Sequence, residues 1–126
     1  MKNKKLTIGI SLRVVESTDY NEKRDALSQD WSIFFEKLGI NPLLIPNTIK
    51  NVSSFLEDMQ VQGLILSGGD NIGDSQDRDK TEQKIINYCF GKKIPLIGIC
   101  RGMQVINTFF GGTIETLENS KHVGDS

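Results

Sequence analysis

The chain has 126 residues, with 15 lysines and arginines against 16 aspartates and glutamates, one histidine and two cysteines. That length holds one domain with a core of modest size, and a net charge of -1 with acids and bases interspersed points away from nucleic acid and anionic membranes as partners. Two cysteines in no paired pattern fit a reducing compartment, and no stretch approaches the roughly 18 apolar residues of a membrane span.

Lys2-Asn3-Lys4-Lys5 precedes an apolar run, but Arg13 closes that run after about seven residues, too few for a secretory core, so the expected compartment is the cytoplasm. Residues 6–12 are apolar and β-branched, as in a buried first strand of a parallel sheet. Residues 14–22 read as a loop. From about Asp25, Leu27, Trp31, Phe34, Phe35 and Leu38 recur at helical spacing, and Gly39 stops the helix. Leu43-Leu44-Ile45 between Pro42 and Pro46 makes a short second strand. Val52, Phe55, Leu56 and Met59 mark a second helix, and residues 63–66 a third strand leading into Ser67-Gly68-Gly69-Asp70. The polar residues 71–80 read as a surface loop, followed by a helix from about Asp79 to Phe90 that Gly91 caps. Within it, Cys89 beside Tyr88 and Phe90 reads as a small buried hydrophobe, not a disulfide partner of Cys100. A strand at residues 94–98, a helix to about Phe110 and a Gly111-Gly112 turn into Thr113-Ile114 complete the alternation. Such alternation implies βαβ units and a parallel sheet covered on both faces, with ligands outside the carboxyl ends of the strands. Arg13, residues 67–70 and Cys100 all follow strands, so they should line one edge.

The most informative stretch is Gly98-Ile99-Cys100-Arg101-Gly102, which joins an apolar strand to a helical pattern continuing through Met103, Gln104, Val105 and Ile106. It has the form of a nucleophile elbow: the apex side chain stands at a strand end in strained backbone, and larger residues in place of the two glycines would collide with neighbouring elements. At a helix N-terminus, unpaired N–H groups and the macrodipole favour a thiolate, the form in which a cysteine attacks.

These residues, together with Leu66-Ser67-Gly68-Gly69-Asp70 before them and Gly111-Gly112-Thr113 after them, resemble the class I glutamine amidotransferase family. Arg78-Asp79-x-x-Glu82 brings the chain nearer the gamma-glutamyl hydrolase branch, and Arg24-Asp25-Ala26-Leu27 through Trp31 is similar to gamma-glutamyl-CDP-amidate hydrolases. The resemblance covers nearly the whole chain. It implies an α/β fold, a flavodoxin-like three-layer sandwich with a mostly parallel central sheet. It also implies that residues 1–126 are the N-terminal part of a longer amidotransferase-like domain, because the family's histidine base and the acid orienting it lie far downstream of the cysteine. The only histidine, His122, matches a different stretch and is read as a loop residue.

Acyl transfer at an amide needs a nucleophile, donors for the developing oxyanion and a base. Cys100 would attack a γ-glutamyl carbonyl to form a thioester. The backbone N–H of Arg101 supplies one oxyanion donor and the Gly68-Gly69 turn the other, Gly69 by resemblance. The resemblance also implies that Gln104 helps hold the glutamyl group, and Gly68 belongs with it in substrate binding. Bland readings stand beside these. Gly68-Gly69 also fits an ordinary turn, Gln104 a solvent-facing helix position, and Arg13 either a contact to a substrate carboxylate or phosphate or a solvated charge. Arg78 and Glu82, four apart, fit a structural ion pair, and Asp70 a bond to its own loop.

The expected reaction is hydrolysis of a γ-glutamyl amide, glutamine or a conjugate such as a gamma-glutamyl-CDP-amidate, with the base absent from the chain. Two rivals stand: a glutaminase subunit delivering ammonia to a synthetase, and a non-catalytic glutamyl-binding or interaction module. The expected partner is a small molecule, with a synthetase or self-association left open. No organic cofactor and no metal is implied, since neither a histidine and cysteine cluster nor a P-loop lysine is present.

Overall fold

The computed structural model describes residues 5–111. Residues 112–126, and with them the expected Thr113-Ile114 strand and His122, lie outside the described residues. The order of elements is β1 (Thr7–Ser11), β2 (Arg13–Ser17), β3 (Glu22–Ala26), α1 (Gln29–Leu38), β4 (Asn41–Ile45), α2 (Val52–Met59), β5 (Gly63–Leu66), α3 (Gln76–Lys92), β6 (Leu96–Gly98) and α4 (Arg101–Phe109).

Four strands form one parallel sheet in the order β4-β1-β5-β6. This is the flavodoxin-like α/β arrangement, with β1 inside the sheet between β4 and β5 and its residues Gly9, Ile10 and Ser11 buried. Pairing puts Ile8 beside Pro42 and Gly63, and Ile10 beside Leu44 and Ile65. Pro42 costs the ladder little because β4 is an edge strand. Alternation along β5 divides the core. Leu64 and Leu66 pack with Ile45, Leu56, Ile85, Ile86 and Val105 on the face covered by α2, α3 and α4, whereas Ile65 joins Ile10 and Phe35 under α1. Three layers result.

The helix ends follow local chemistry. Ser28 caps α1 by accepting from the Asp30 N–H, and Gly39, at φ 69°, closes it as expected. Two expectations about α3 are corrected. It begins at Gln76, because the Ser75 hydroxyl accepts the Arg78 N–H at 3.2 Å and recruits three more polar residues into the first turn. It ends at Lys92 with Lys93, at φ 58°, as its cap, so Gly91 lies inside the helix and caps nothing.

The largest correction falls on residues 14–22. They belong to a β-hairpin in which β2 pairs antiparallel with β3, from Arg13 opposite Ala26 to Ser17 opposite Glu22. The expected helix start at Asp25 is therefore strand, and α1 begins at Gln29. β3 is almost wholly exposed, so no apolar alternation marks it. The base of the hairpin is tied down by Asp25, whose carboxylate accepts the Asn47 backbone N–H at 2.9 Å and the Asn47 side-chain amide at 3.0 Å. That amide also donates to the Leu12 carbonyl at 3.0 Å.

Among the described residues no helix is long and apolar enough to cross a membrane. β6 pairs only with β5 there, and Ile97, Met103, Phe90 and Phe110 are exposed nearby, with the Phe90 and Phe110 rings edge to face at 5.1 Å.

Candidate active site at the strand ends

The elbow forms because two glycines let three elements meet. A Cβ on Gly98 would lie 2.6 Å from the Gly102 carbonyl carbon, and one on Gly102 would lie 2.2 Å from the Leu66 carbonyl oxygen. With no side chains there, α4 sits directly on β5 and β6, and the Ile99 N–H donates to the Leu66 carbonyl at 3.0 Å. The residue between them is forced into an unusual conformation. Cys100 has φ 54° and ψ -108°, a region that L-residues avoid, and it occupies the N-cap of α4 with no side-chain cap bond. Its side chain is exposed.

The 67–70 turn lies alongside. A Cβ on Gly68 would be 3.5 Å from the Cys100 Cβ, so the turn and the thiol are neighbours. Gly69 takes φ 89°, and the Arg13 guanidinium stands against it, 3.4 Å from where its Cβ would be. Arg13 is held by Asp70, Nη2 to Oδ1 at 2.8 Å. This corrects the expectation that Asp70 bonds its own loop: it pairs with Arg13 and lies 3.9 Å from Arg78 Nη1. Arg13 is thus partly exposed and ion-paired, neither a free charge nor a buried one.

Arg13, the 67–70 turn and Cys100 accordingly share one edge. Among the described residues, the N–H groups of Gly69 and Arg101 enter none of the turn, loop or cap hydrogen bonds. Gln104 is exposed one turn into α4, and its side chain makes no hydrogen bond among the described residues. Beside the turn opens a cavity of about 470 Å³. Arg13, Ser67, Gly68, Gly69 and Ile99 line its elbow side, and Val15, Ala26, Leu27, Ser28 and Trp31 its outer wall. The hairpin, which the sequence pattern did not signal, therefore supplies part of the cavity. Cys100 is not among the residues lining that cavity, which reaches its neighbour Ile99, nor among those lining a second groove of about 420 Å³ between the other side of the hairpin and residues 70–77.

Beneath the turn lies a buried cluster that the sequence signalled only in part. Arg78 is 1% exposed, Glu82 0% and Arg101 3%. The ion pair expected between Arg78 and Glu82 is present, Nε to Oε2 at 3.4 Å. Arg101, expected to contribute only its backbone, turns its side chain inward onto Glu82 and Asp79. Ser11 donates to Glu82 Oε2 at 2.7 Å and accepts the Ser67 N–H at 3.0 Å. Burial lowers the Arg78 pKa, and the adjacent Glu82 carboxylate opposes that shift. Among the described residues, no group of three or more His, Cys, Asp or Glu side chains is placed to hold a metal ion.

The two thiols are sharply distinguished. Cys89 is 3% exposed, and burial pushes its pKa up to about 11. At pH 8 roughly one molecule in a thousand then carries a Cys89 thiolate, since each pKa unit is a factor of ten. Mass spectrometry after brief iodoacetamide treatment at that pH should show one adduct, on Cys100, in folded protein and two after denaturation. Because the folded pKa is raised, Cys89 opposes folding only above its ordinary value of 9.0, and stability should fall between about pH 9 and 11.

Comparison with known proteins adds to this geometry. The family described as Peptidase C26 matches residues 7–124. A gamma-glutamyl-CDP-amidate hydrolase of Campylobacter jejuni is 36% identical over 124 residues, covering 93% of this chain and 60% of that protein. A glutamine-hydrolyzing GMP synthase of Listeria monocytogenes is 29% identical over 115 residues, covering 82% of this chain and 21% of the synthase. Another, from Prochlorococcus marinus, is 38% identical over 69 residues, 55% of this chain and 12% of the synthase. The chain spans 60% or less of the length of each of these relatives.

Proposed function

The chain belongs to the Peptidase C26 family, and from that premise we propose that it carries the nucleophilic part of a γ-glutamyl amide hydrolase. Cys100 Sγ attacks the γ-carbonyl of the substrate. The carbonyl oxygen becomes an oxyanion held by the N–H groups of Gly69 and Arg101, and the C–N bond then breaks. The leaving group departs protonated, and water cleaves the thioester to release glutamate and restore the thiol. Gly68 and Gln104 flank the glutamyl portion. Arg13, beside Gly69, faces an anionic group of the substrate.

The base that moves these protons is not among the described residues, and the single histidine, His122, lies outside them. The resemblance supports reading residues 1–126 as the N-terminal part of an amidotransferase-like domain, in keeping with their covering 60% of the Campylobacter protein. The reaction is assigned to the cytoplasm, where two free cysteines persist.

One observation carries the reading: an exposed cysteine at positive φ, on a helix N-terminus, next to a glycine turn with unclaimed N–H groups. The substrate favoured is a γ-glutamyl conjugate with a phosphoramidate leaving group, by similarity to the Campylobacter protein. Glutamine hydrolysis for a synthetase is the second reading, favoured by the two GMP synthases. A γ-glutamyl chloroketone tests the chemistry common to both. Sγ–C bond formation with loss of chloride should label Cys100, and free glutamate should slow it. A folded protein left unlabelled would leave a non-catalytic glutamyl-binding module as the remaining reading. Ammonia release from glutamine, with and without a synthetase, separates the two enzymes.

A further inference from the structure

The cluster under the turn has a geometry that core packing does not require. Arg78 donates to three successive carbonyls, those of Ser67 at 2.8 Å, Gly68 at 3.0 Å and Gly69 at 2.6 Å. In a trans peptide unit the C=O and N–H point in opposite directions, and there are no cis peptide bonds here. Gathering three carbonyls under one guanidinium therefore turns the N–H groups of Gly68, Gly69 and Asp70 away from it. A planar fork of five donors can hold three acceptors at fixed angles, whereas a lysine ammonium cannot fix them in that way.

Glu82 then joins this loop to the elbow. Oε2 receives Arg78 Nε and the Ser11 hydroxyl, while Oε1 receives Arg101 Nη1. Arg101 is the residue after Cys100, so one buried carboxylate links the side chain that orients the Gly69 amide to the residue whose own amide is the second donor. Stability alone does not call for these ions, since apolar side chains of similar volume often replace a buried ion triad without loss. What apolar groups cannot do is draw three carbonyls to one point.

We infer that Arg78 and Glu82 are positioning residues that set the Gly69 and Arg101 amides at the separation one oxyanion needs. The inference rests on the function proposed above. It predicts that weakening the cluster slows attack at a carbonyl but not attack at a saturated carbon. The full chain and its Arg78→Lys variant are therefore compared with two reagents acting on Cys100. With the γ-glutamyl chloroketone, Sγ adds to the ketone carbon to give a thiohemiketal oxyanion, and the sulfur then displaces chloride from the adjacent carbon as the carbonyl re-forms. Iodoacetamide loses iodide in a single displacement with no oxyanion.

The variant should lose about tenfold or more in chloroketone labelling rate and stay within about twofold in iodoacetamide rate. Circular dichroism would report the fold. Glu82→Gln, which keeps the side chain's shape, supplies the same comparison if the lysine variant is unfolded. An unchanged ratio of the two rates in a folded variant overturns the inference alone, and so does loss of fold in both variants, which would mark a purely structural role. Failure of the chloroketone to label the parent chain, with iodoacetamide still reacting, overturns the hydrolase reading and this inference together.

Discussion

Replacing Gly102 with alanine should cost about 3 kcal/mol or more of stability, enough to unfold a marginal domain. The added Cβ would lie 2.2 Å from the Leu66 carbonyl oxygen and 2.8 Å from the Leu66 Cβ. That carbonyl already accepts the Ile99 N–H, so it cannot retreat without breaking the junction of β5 with the elbow. Backbone must move, and overpacking a well-packed site is expensive even where only side chains adjust. Gly91→Ala is the control with the opposite sign. Nothing lies within 4 Å of a Cβ there, and the position is inside α3, where alanine is favoured over glycine by about 1 kcal/mol. Urea unfolding midpoints at unchanged slope measure both. A Gly102→Ala protein within about 1 kcal/mol of its parent would show that the elbow is not sterically closed.

Cys100→Gly should stabilise the fold and abolish the chemistry in one step. At φ 54° and ψ -108° the Cβ of Cys100 is strained, and such conformations cost roughly 1–3 kcal/mol. Glycine removes that strain but gives the unfolded chain more freedom, which takes back about 0.5–1 kcal/mol. The net gain is on the order of 1 kcal/mol, a rise of a few degrees in melting temperature. Labelling activity toward the chloroketone should vanish, because the nucleophile that forms the new bond is gone. Cys100→Ala should lose the same activity without the gain, since it keeps a Cβ at positive φ. Equal melting temperatures for the glycine and alanine variants would rule out strain at the apex.

Much of this architecture is legible in the chain because it rests on short-range pattern. Alternation of apolar strands with amphipathic helices located β1, β4, β5, β6 and all four helices to within a few residues, and Gly39 ended α1 where expected. The elbow was legible for the same reason: two glycines four apart around a cysteine describe a local steric problem with one solution. The hairpin was not, because β2 and β3 carry mainly charged, exposed residues and are held by their own ladder and by Asp25 on Asn47.

The amino-acid sequence by itself determined that a strained cysteine would stand at the end of a parallel strand beside a Gly-Gly turn, since each of those features is set by neighbours within a few positions. Only the tertiary structure decided what surrounds it. Ser11, Ser67, Glu82 and Arg101 meet because the sheet order places β1 beside β5 and β5 beside β6, and because α3 and α4 both pack on that face. Pairing among residues 19 to 71 positions apart depends on how the whole chain closes. No local spacing encodes it, which is why the Arg101 side chain, the Arg13 pairing with Asp70 and the three-carbonyl grip of Arg78 appear only once the fold is complete.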